Sequence, residues 1–507
     1  MNTLQDRIRE NAVANPSTPG LGLSRAQPLL VLAAAPMLLF PRGFLPWVGL
    51  GLVLLGWLSH ILATAKLLIR TPLNRPILIL ILMTLASLYP SVDLTLSLPK
   101  LYGIILGFAV YYATVRNVSS QPRRVSAVAK YRGQRGFWLG VGLLLVSVLA
   151  ISLVGLVGTE WSTAKLPILE RVYNLAPRLI VGIQSSVGPR AGIHPNELGG
   201  TLAFLLPLPM TLLVRGGVPR GPNALLLNVI LALVTTLGLG ALSLTASRSA
   251  LMGLAVATVV LLTWRWRRLG LGLLVAALAA LGFALSRDAP GVLEFLLRAD
   301  VSTVASGGGT IASRMEIWDR ARYMIEDFPF TGIGLNTFPV ILDTLYPSFL
   351  AGPDARIPHA HNIYLQTAVD LGLGGLLGFI GLWACVAHTG WRAYRSMGST
   401  PEHKPMQAAV IGLLLGLLAY LTFGLTDAIT LGAKPTVLLW LMIGLIVSAE
   451  RLAPDPRSSP PPTALDSRLL SCLVSFARST TRDAYWIVTF FLVAMGYLVI
   501  ALGVWVP

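Results

Sequence analysis

The sequence predicts an all-α integral membrane protein with about 12–13 transmembrane helices. Of the 507 residues, 54% are hydrophobic and only 12% are charged, whereas roughly 25% of the residues in an average soluble domain are charged. Uncharged apolar runs recur along the whole chain at the length that a helix needs to cross about 30 Å of hydrocarbon. The runs show no strand-like alternation, and an open sheet edge is not tolerated in lipid.

The apolar runs number thirteen and are taken here as successive spans. They lie near residues 27–40, 44–65, 76–92, 96–115, 137–157, 197–214, 224–245, 250–264, 269–285, 364–388, 406–426, 434–449 and 485–505.

Charge placement supports a topology in which the N-terminus is inside and every span alternates. The inner segments then hold about 25 of the 39 Lys and Arg residues but only about 7 of the 22 acids, as the positive-inside rule requires. Basic clusters such as Arg123-Arg124 and Arg392…Arg395 are therefore interpreted as topology determinants and anchors for lipid phosphates. The net charge of +17 is explained in this way, and no nucleic-acid partner is expected.

The spans and loops divide the chain into six predicted regions. In order, these are a cytoplasmic tail (1–26), nine helices with an outer loop at 158–196 (27–285), a large outer loop (286–363), three helices (364–449), a Pro-rich cytoplasmic linker (450–484) and an extra C-terminal helix (485–507). The polar tail has no cleavage site after a short apolar core, so it is not interpreted as a signal peptide. Long outer loops are usually functional.

The large outer loop has a predicted helix of its own. Ser313 and Glu316 form an S-x-x-E capping box, which predicts the helix start. The apolar stripe of this helix is predicted at Met315, Trp318, Ala321, Arg322 and Ile325, facing the membrane surface or roofing a cavity. Phe328-Pro329 ends the helix, and Gly332-Ile333-Gly334 supplies a turn.

Ionisable residues are rare within the spans. The exceptions are Lys100, Asp370, Asp427 and Lys434, and all but Asp370 lie near predicted outer ends. Proton-coupled transport usually needs acids or histidines deep in the bilayer, so this pattern argues against a transporter. Chemistry is expected at the outer face instead.

Four outward-facing residues are candidates for that chemistry. Arg190 and Arg248 lie at outer boundaries of the hydrocarbon, where two arginines entering one cavity would bind phosphate oxygens with their bidentate guanidinium groups. Each arginine alone is better explained by interaction with lipid headgroups. His359 and His361, in P-H-A-H-N-I-Y-L-Q, precede the tenth span. No third ligand motif accompanies them, so no metal site and no cofactor are predicted.

The motifs resemble those of the O-antigen ligase and polymerase superfamily, which are bacterial envelope glycosyltransferases. The resemblance is carried by R-A-G-I-H-P-N-E-L-G-G, L-T-A-S-R-S-A-L-M-G, S-R-M-E-I-W-D-R-A…P-F-T-G-I-G-L-N-T-F and H-A-H-N-I-Y-L-Q-T-A-V-D-L-G-L-G-G, over roughly 180–375. It implies a fold of the second class of membrane glycosyltransferases, placed in the bacterial inner membrane with the active site facing the periplasm. It also implies an undecaprenyl-pyrophosphate-linked glycan donor.

The resemblance also implies roles for individual residues. Arg190 and Arg248 match the arginines that hold the donor pyrophosphate, and His361 matches the histidine proposed as general base. Supporting roles are carried over to His359, Asn362, Arg314, Trp318 and Asn196. His359 is a second candidate for the base.

Two questions stay open at the level of sequence. A ligase passes the glycan to lipid A–core, whereas a polymerase passes it to another lipid-linked repeat, and both need the same donor site. The sugar and the oligomeric state are not predicted. A lipid or glycan transporter and a scaffold of an envelope complex are the alternatives from other classes.

Overall fold

The architecture is described from a computed structural model. It describes residues 19–64, 68–119, 127–159, 193–216, 223–297, 311–349, 357–398 and 400–454.

The described residues form fifteen α-helices. They are α1 (Pro19–Leu39), α2 (Leu45–Thr64), α3 (Asn74–Ala86), α4 (Leu94–Ser119), α5 (Ala127–Gly158), α6 (Pro195–Leu205), α7 (Pro207–Val214), α8 (Ala224–Leu244), α9 (Arg248–Arg265), α10 (Arg267–Leu297), α11 (Ile311–Asp327), α12 (Phe338–Leu345), α13 (Ile363–Ser396), α14 (Lys404–Phe423) and α15 (Thr436–Leu452).

The predicted all-α membrane class is confirmed. Eight helical segments of the described chain are long and apolar enough to cross a bilayer, and two shorter apolar helices accompany them. The eight are Leu45–Leu62, Leu94–Val118, Gly133–Leu156, Pro195–Val214, Ala224–Leu244, Arg248–Arg265, Ile363–Ser396 and Pro401–Phe423. Apart from one isolated β-bridge between Thr159 and Ile193, the regular structure in the described ranges is helical.

The helices differ in how much of their surface is covered by protein. α14 and the α6–α7 pair are mostly buried, whereas α5 and α8 expose large aliphatic side chains such as Leu139 and Leu225. In water such a surface would aggregate, but in a bilayer it meets lipid tails at no cost. The exposed rows therefore mark the lipid-facing side of the bundle.

The sixth span is confirmed as Pro195–Val214. Leu206 separates α6 from α7 within it, because Pro207 follows and lacks the amide hydrogen that a continuous helix needs. Two other predicted spans have different ends in the structure. α3 is shorter than predicted and ends at Ala86. α10 continues to Leu297, past the predicted loop start at 286, with a break at Asp288.

Several predicted features lie outside the described residues. They are the last span (485–505), the linker beyond residue 454, most of the outer loop at 158–196 and residues 1–18 of the cytoplasmic tail.

The helix of the large outer loop is confirmed, but its predicted cap is wrong. α11 already includes Ile311, so Ser313 lies inside the helix and is not its N-cap. The Glu316 carboxylate instead accepts hydrogen bonds from Ser348 Oγ (2.7 Å) and the Phe349 amide (2.7 Å). The predicted end before Phe328 is confirmed.

The apolar stripe of α11 is also displaced from its predicted position. Its buried residues are Ile317, Ala321 and Met324, which pack on a small core within the loop that includes Phe338. Arg322, predicted on the stripe, is exposed and forms an ion pair with Glu326. The apolar face of α11 therefore packs on the interior of the loop, where its side chains are removed from water.

The large loop docks onto a break in α13. Gly372 has φ 70°, a left-handed conformation that divides α13 after its first turns. The Leu373 amide donates to the Pro329 carbonyl (2.8 Å), and the Ile333 amide donates to the Val369 carbonyl (2.9 Å). A Cβ at Gly372 would collide with the backbone of Phe330. The loop and the membrane helix thus share backbone hydrogen bonds.

We predict that Gly372→Ala destabilises the protein by about 2–4 kcal/mol, because the left-handed backbone and the collision with Phe330 both oppose a methyl group. The measurement is thermal unfolding of the detergent-purified protein. Gly381→Ala on the same helix is the control: its Cβ would meet only Pro76 at 3.7 Å, so its stability should stay level or rise slightly. Equal melting temperatures for the two variants would contradict the prediction.

Candidate active site

Two side chains of α11 hold the two loops on which the candidate site is built. Buried Arg314 donates from Nη1 to the Thr426 carbonyl (2.9 Å), and Trp318 donates from Nε1 to the Ala360 carbonyl (2.9 Å). Thr426 lies in the turn after α14, and Ala360 lies between the two histidines. Arg314 and Trp318 therefore have a structural role in holding these loops together.

The histidine segment precedes α13 and ends in a capped helix start. Asn362 is the N-cap, and its Oδ1 accepts from the amides of Tyr364 (2.9 Å) and Leu365 (3.0 Å). His361 has φ 47°, which is uncommon for a residue other than glycine and is found at functional sites. Asn362 therefore fixes the start of α13 directly after His361, and its supporting role in the site stays a prediction.

Asp427 faces both histidines. Its Oδ1 lies 3.4 Å from His361 Nδ1 and 3.9 Å from His359 Nε2, and its side chain is buried. The two imidazole rings lie edge to face with centroids 4.5 Å apart. The Ala428 amide donates to Asp427 Oδ1 (2.8 Å), which fixes the carboxylate orientation. The structure therefore adds a carboxylate to the predicted histidine pair.

The electrostatics of this cluster favour an ionised Asp427 and a neutral His359. Burial opposes ionisation of Asp427, but hydrogen bonding to His361 and the charges of His361, His359 and Arg314 outweigh it and hold its pKa well below the usual range. Desolvation, followed by the charge of His361, lowers the pKa of His359 to about 3 even though Asp427 opposes the shift. A neutral imidazole beside a carboxylate is the arrangement that general-base chemistry uses.

The same three side chains could hold a metal ion. His359, His361 and Asp427 each offer one ligand atom, and these atoms lie within 4.8 Å of one another. Asp427 lies far from the histidines in the chain, so their spacing does not reveal it as a third ligand. That the protein works without a metal ion stays a prediction.

Arg248 is the first residue of α9. It follows a tight turn in which Ala246 has φ 50°, and it is partly buried. The neighbouring Ser249 Oγ accepts a hydrogen bond from Thr426 Oγ1 (2.8 Å), so the turns that carry Arg248 and Asp427 are in contact. Arg190, the other predicted pyrophosphate ligand, lies outside the described residues.

The start of α6 approaches the site from a third direction. His194 is the N-cap of α6, and its Nδ1 accepts from the Asn196 amide (3.2 Å). The charge of His194 also lowers the pKa of His359. Asn196 contributes its backbone amide to this cap, and the supporting role of its side chain stays a prediction.

Lys100 is a further cation near the site, and it was not predicted as a site residue. Its Nζ donates to Asn336 Oδ1 (3.1 Å), and it interacts electrostatically with Asp370, Glu197 and His359. Lys100 and Asp427 were noticed only as rare ionisable residues at span ends. That rarity was the available signal, because a charge at the edge of the hydrocarbon is costly unless it meets another charge or a substrate.

Comparison with known proteins supports the resemblance that the motifs indicate. Residues 231–380 match the O-antigen ligase family model. The resemblance to the O-antigen ligase superfamily is confirmed. We call residues 231–380 the O-antigen ligase region. This region contains Arg248, Arg314 and both histidines, whereas Asp427 and Lys100 lie outside it. A search of curated proteins found no match.

Residues 231–380 are therefore similar to membrane glycosyltransferases of the O-antigen ligase type, and the apolar helices indicate a multi-pass membrane protein. The region begins in α8 and ends within α13. It therefore includes the whole large outer loop that carries α11 and the histidine segment.

We predict that acid destabilises the folded protein partly through His359. A histidine in the unfolded chain has a pKa of about 6.5, so between that pH and about 3 the unfolded chain binds a proton that folded His359 does not. The contribution of neutral His359 to the free energy of unfolding is therefore fully present above about pH 6.5. This contribution falls as the pH is lowered. His359→Gln should show a smaller drop in melting temperature between pH 7.5 and pH 5 than the wild type does. An unchanged or larger drop would contradict this explanation.

Proposed function

We propose that this protein is an O-antigen ligase that moves a glycan from an undecaprenyl-pyrophosphate carrier to lipid A–core. The reaction is inverting and metal-independent, and it takes place at the periplasmic face of the bacterial inner membrane. The observation that carries the proposal is the meeting of His361, ionised Asp427 and the turn of Arg248 at one end of the bundle.

The proposed base is His361. With Nδ1 toward Asp427 Oδ1 (3.4 Å), the proton is placed on Nδ1 and the lone pair on Nε2. Nε2 then takes the proton of the acceptor hydroxyl while the hydroxyl oxygen attacks the anomeric carbon of the donor sugar. Asp427 is a positioning residue that stabilises the imidazolium formed in this step, and such proton transfer contributes about 10²–10⁴-fold to the rate.

The proposed role of the arginines is to stabilise the leaving group. As the new glycosidic bond forms, the bond from the anomeric carbon to the pyrophosphate oxygen breaks, and that oxygen keeps the electron pair. Arg248 lies within one residue of the contact with the Asp427 turn, which supports its placement near the departing phosphate. Arg190 is proposed as the second cation of the clamp on the strength of its motif. Fixed cations aimed at developing charge are among the largest contributions to catalysis.

The function is tested by reconstituting the protein with a purified undecaprenyl-pyrophosphate glycan. One reaction includes lipid A–core, and the other includes no second acceptor. We predict product on lipid A–core alone, unchanged when EDTA is present. A ladder on the carrier lipid would identify a polymerase, and loss of activity in EDTA would instead support a metal at His359, His361 and Asp427.

We predict that His361→Ala lowers kcat at least about 10²-fold, because the group that takes the hydroxyl proton is lost. His359→Ala is the matched control, since the second imidazole lies against the first and shares its carboxylate. Its kcat should fall less than that of His361→Ala. If the order of the two effects were reversed, the base would be His359.

We predict that Arg248→Lys lowers kcat about 10–10²-fold although the positive charge is kept, because lysine lacks the planar guanidinium that binds two phosphate oxygens. The loss should be larger in kcat than in the apparent affinity for the donor. Arg322→Lys on the exposed face of α11 is the control and should keep full activity. A scaffold or transporter role predicts no transfer by the wild type and no difference between these two variants.

A further inference from the structure

A cavity lies at the opposite end of the bundle from the candidate active site. Its volume is about 570 Å³. The lining residues come from the ends of α7, α9 and α13 and the start of α14. They are Arg215, Trp264, Arg265, Tyr394, Arg395, Gly398, Lys404 and Gln407.

The cavity has a strongly positive lining. Four of its eight lining residues are cations, and none is an acid. Within the described residues, Arg215, Arg265 and Lys404 have no carboxylate oxygen within 4.0 Å, although Arg392 on the same part of α13 is paired with Glu450 (3.3 Å). Grouped cations repel one another, so an arrangement without acids is stabilised by an anion.

Aromatic rings hold the cations in place. The Arg215 guanidinium lies 5.6 Å from the centre of the Trp264 ring, and that of Arg395 lies 5.6 Å from the centre of the Trp391 ring. Trp264 and Tyr394 pack edge to face at 5.3 Å. Stacking fixes a guanidinium plane but leaves its N–H edge able to donate. Consistent with this, Arg215 Nη1 is buried with no hydrogen-bond partner among the described residues.

Aromatic side chains line part of the cavity. Trp264 and Tyr394 are lining residues, and they pack on a buried cluster that includes Leu261 and Leu415. A ligand in the cavity would therefore meet cations and the accessible parts of two aromatic rings. Tryptophan and tyrosine are the side chains that favour the level of lipid headgroups, so this combination matches an amphipathic ligand better than a freely soluble anion.

Charge placement puts the cavity at the cytoplasmic face. Arg215, Arg265 and Arg395 belong to three different segments that the positive-inside rule predicts to be inner. His361 lies just before the first residue of α13, whereas Arg395 lies at the last turn of that helix. The two sites are therefore separated by the length of a membrane-spanning helix and share no lining residue.

We propose that this cavity binds the phosphate headgroup of an anionic phospholipid from the cytoplasmic leaflet. Arg215 and Arg265 donate to the phosphate oxygens, Lys404 adds a third positive charge, and Trp264 and Tyr394 contact the glycerol and the upper acyl chains. This site is independent of the glycan chemistry at the other end of the bundle.

The test uses the full-length protein in phosphatidylcholine nanodiscs titrated with phosphatidylglycerol. Retained lipid is counted by native mass spectrometry. Arg215→Gln and Arg265→Gln should each weaken retention of phosphatidylglycerol about tenfold, the effect of one charge-assisted hydrogen bond. Arg392→Gln is the matched control: it removes one positive charge at the same end of the bundle but from a residue outside the cavity, and retention should change less than about twofold.

Other outcomes overturn the proposal. An equal loss in Arg392→Gln would show that phosphatidylglycerol responds only to surface charge. Displacement of the lipid by millimolar inorganic phosphate would show that the cavity takes a free anion. Lys404→Gln serves as a second variant because its side chain is exposed, so its fold should be intact by melting temperature. Retention by Lys404→Gln at the wild-type level would also count against the cavity as the binding site.

Discussion

Hydrogen bonds between two loops hold the candidate active site together. The Ile363 amide donates to the Gly424 carbonyl (2.7 Å), and Asn362 Nδ2 donates to the Leu425 carbonyl (3.0 Å). Arg314 adds the bond to Thr426 from the large outer loop. These contacts bring the segment before α13 against the turn after α14, which is why His361 and Asp427 face each other. Because the donors and acceptors are mostly buried, each unmade bond would leave a polar group without a partner at considerable cost.

The large outer loop is part of this arrangement and not an appendage to it. α11 has its own apolar core, but two of its polar side chains reach the two loops that carry the histidines and the aspartate. The break at Gly372 then joins the following segment of the loop to α13 through backbone hydrogen bonds. A change in the position of the loop would therefore change the geometry of His361. This coupling gives the loop a direct physical route to affect chemistry at the membrane surface.

The two ends of the bundle present different chemistry. At one end a carboxylate, two histidines and a small number of cations converge in a mixed cluster. At the other end four cations line one cavity that has no acidic residue. The first arrangement suits proton transfer, since an ionised carboxylate supports a neutral base. The second suits retention of a fixed anion, since nothing in its lining moves a proton.

How far the sequence predicts the site can be judged from particular residues. His361 and Arg248 were assigned from motifs, and the structure places their segments on either side of one turn. Asp427 was not assigned, because it lies beyond the motifs that carry the resemblance, over roughly 180–375, and no spacing rule connects it to the histidines. The buried stripe of α11 lies one residue away from its predicted position. Arg314 is on the buried face because it donates a hydrogen bond to the Thr426 carbonyl, a contact that exists only in the folded protein.

The sequence by itself determined the membrane class, the approximate spans and the placement of basic clusters, because hydropathy and charge act locally along the chain. It also determined that α11 ends before Pro329, because proline cannot continue a helix. Only the tertiary structure decided that Asp427 joins His359 and His361, and that four cations from three separate segments of the chain line one cavity. Those groupings depend on which helix ends meet, and that is set by packing between residues far apart in the chain.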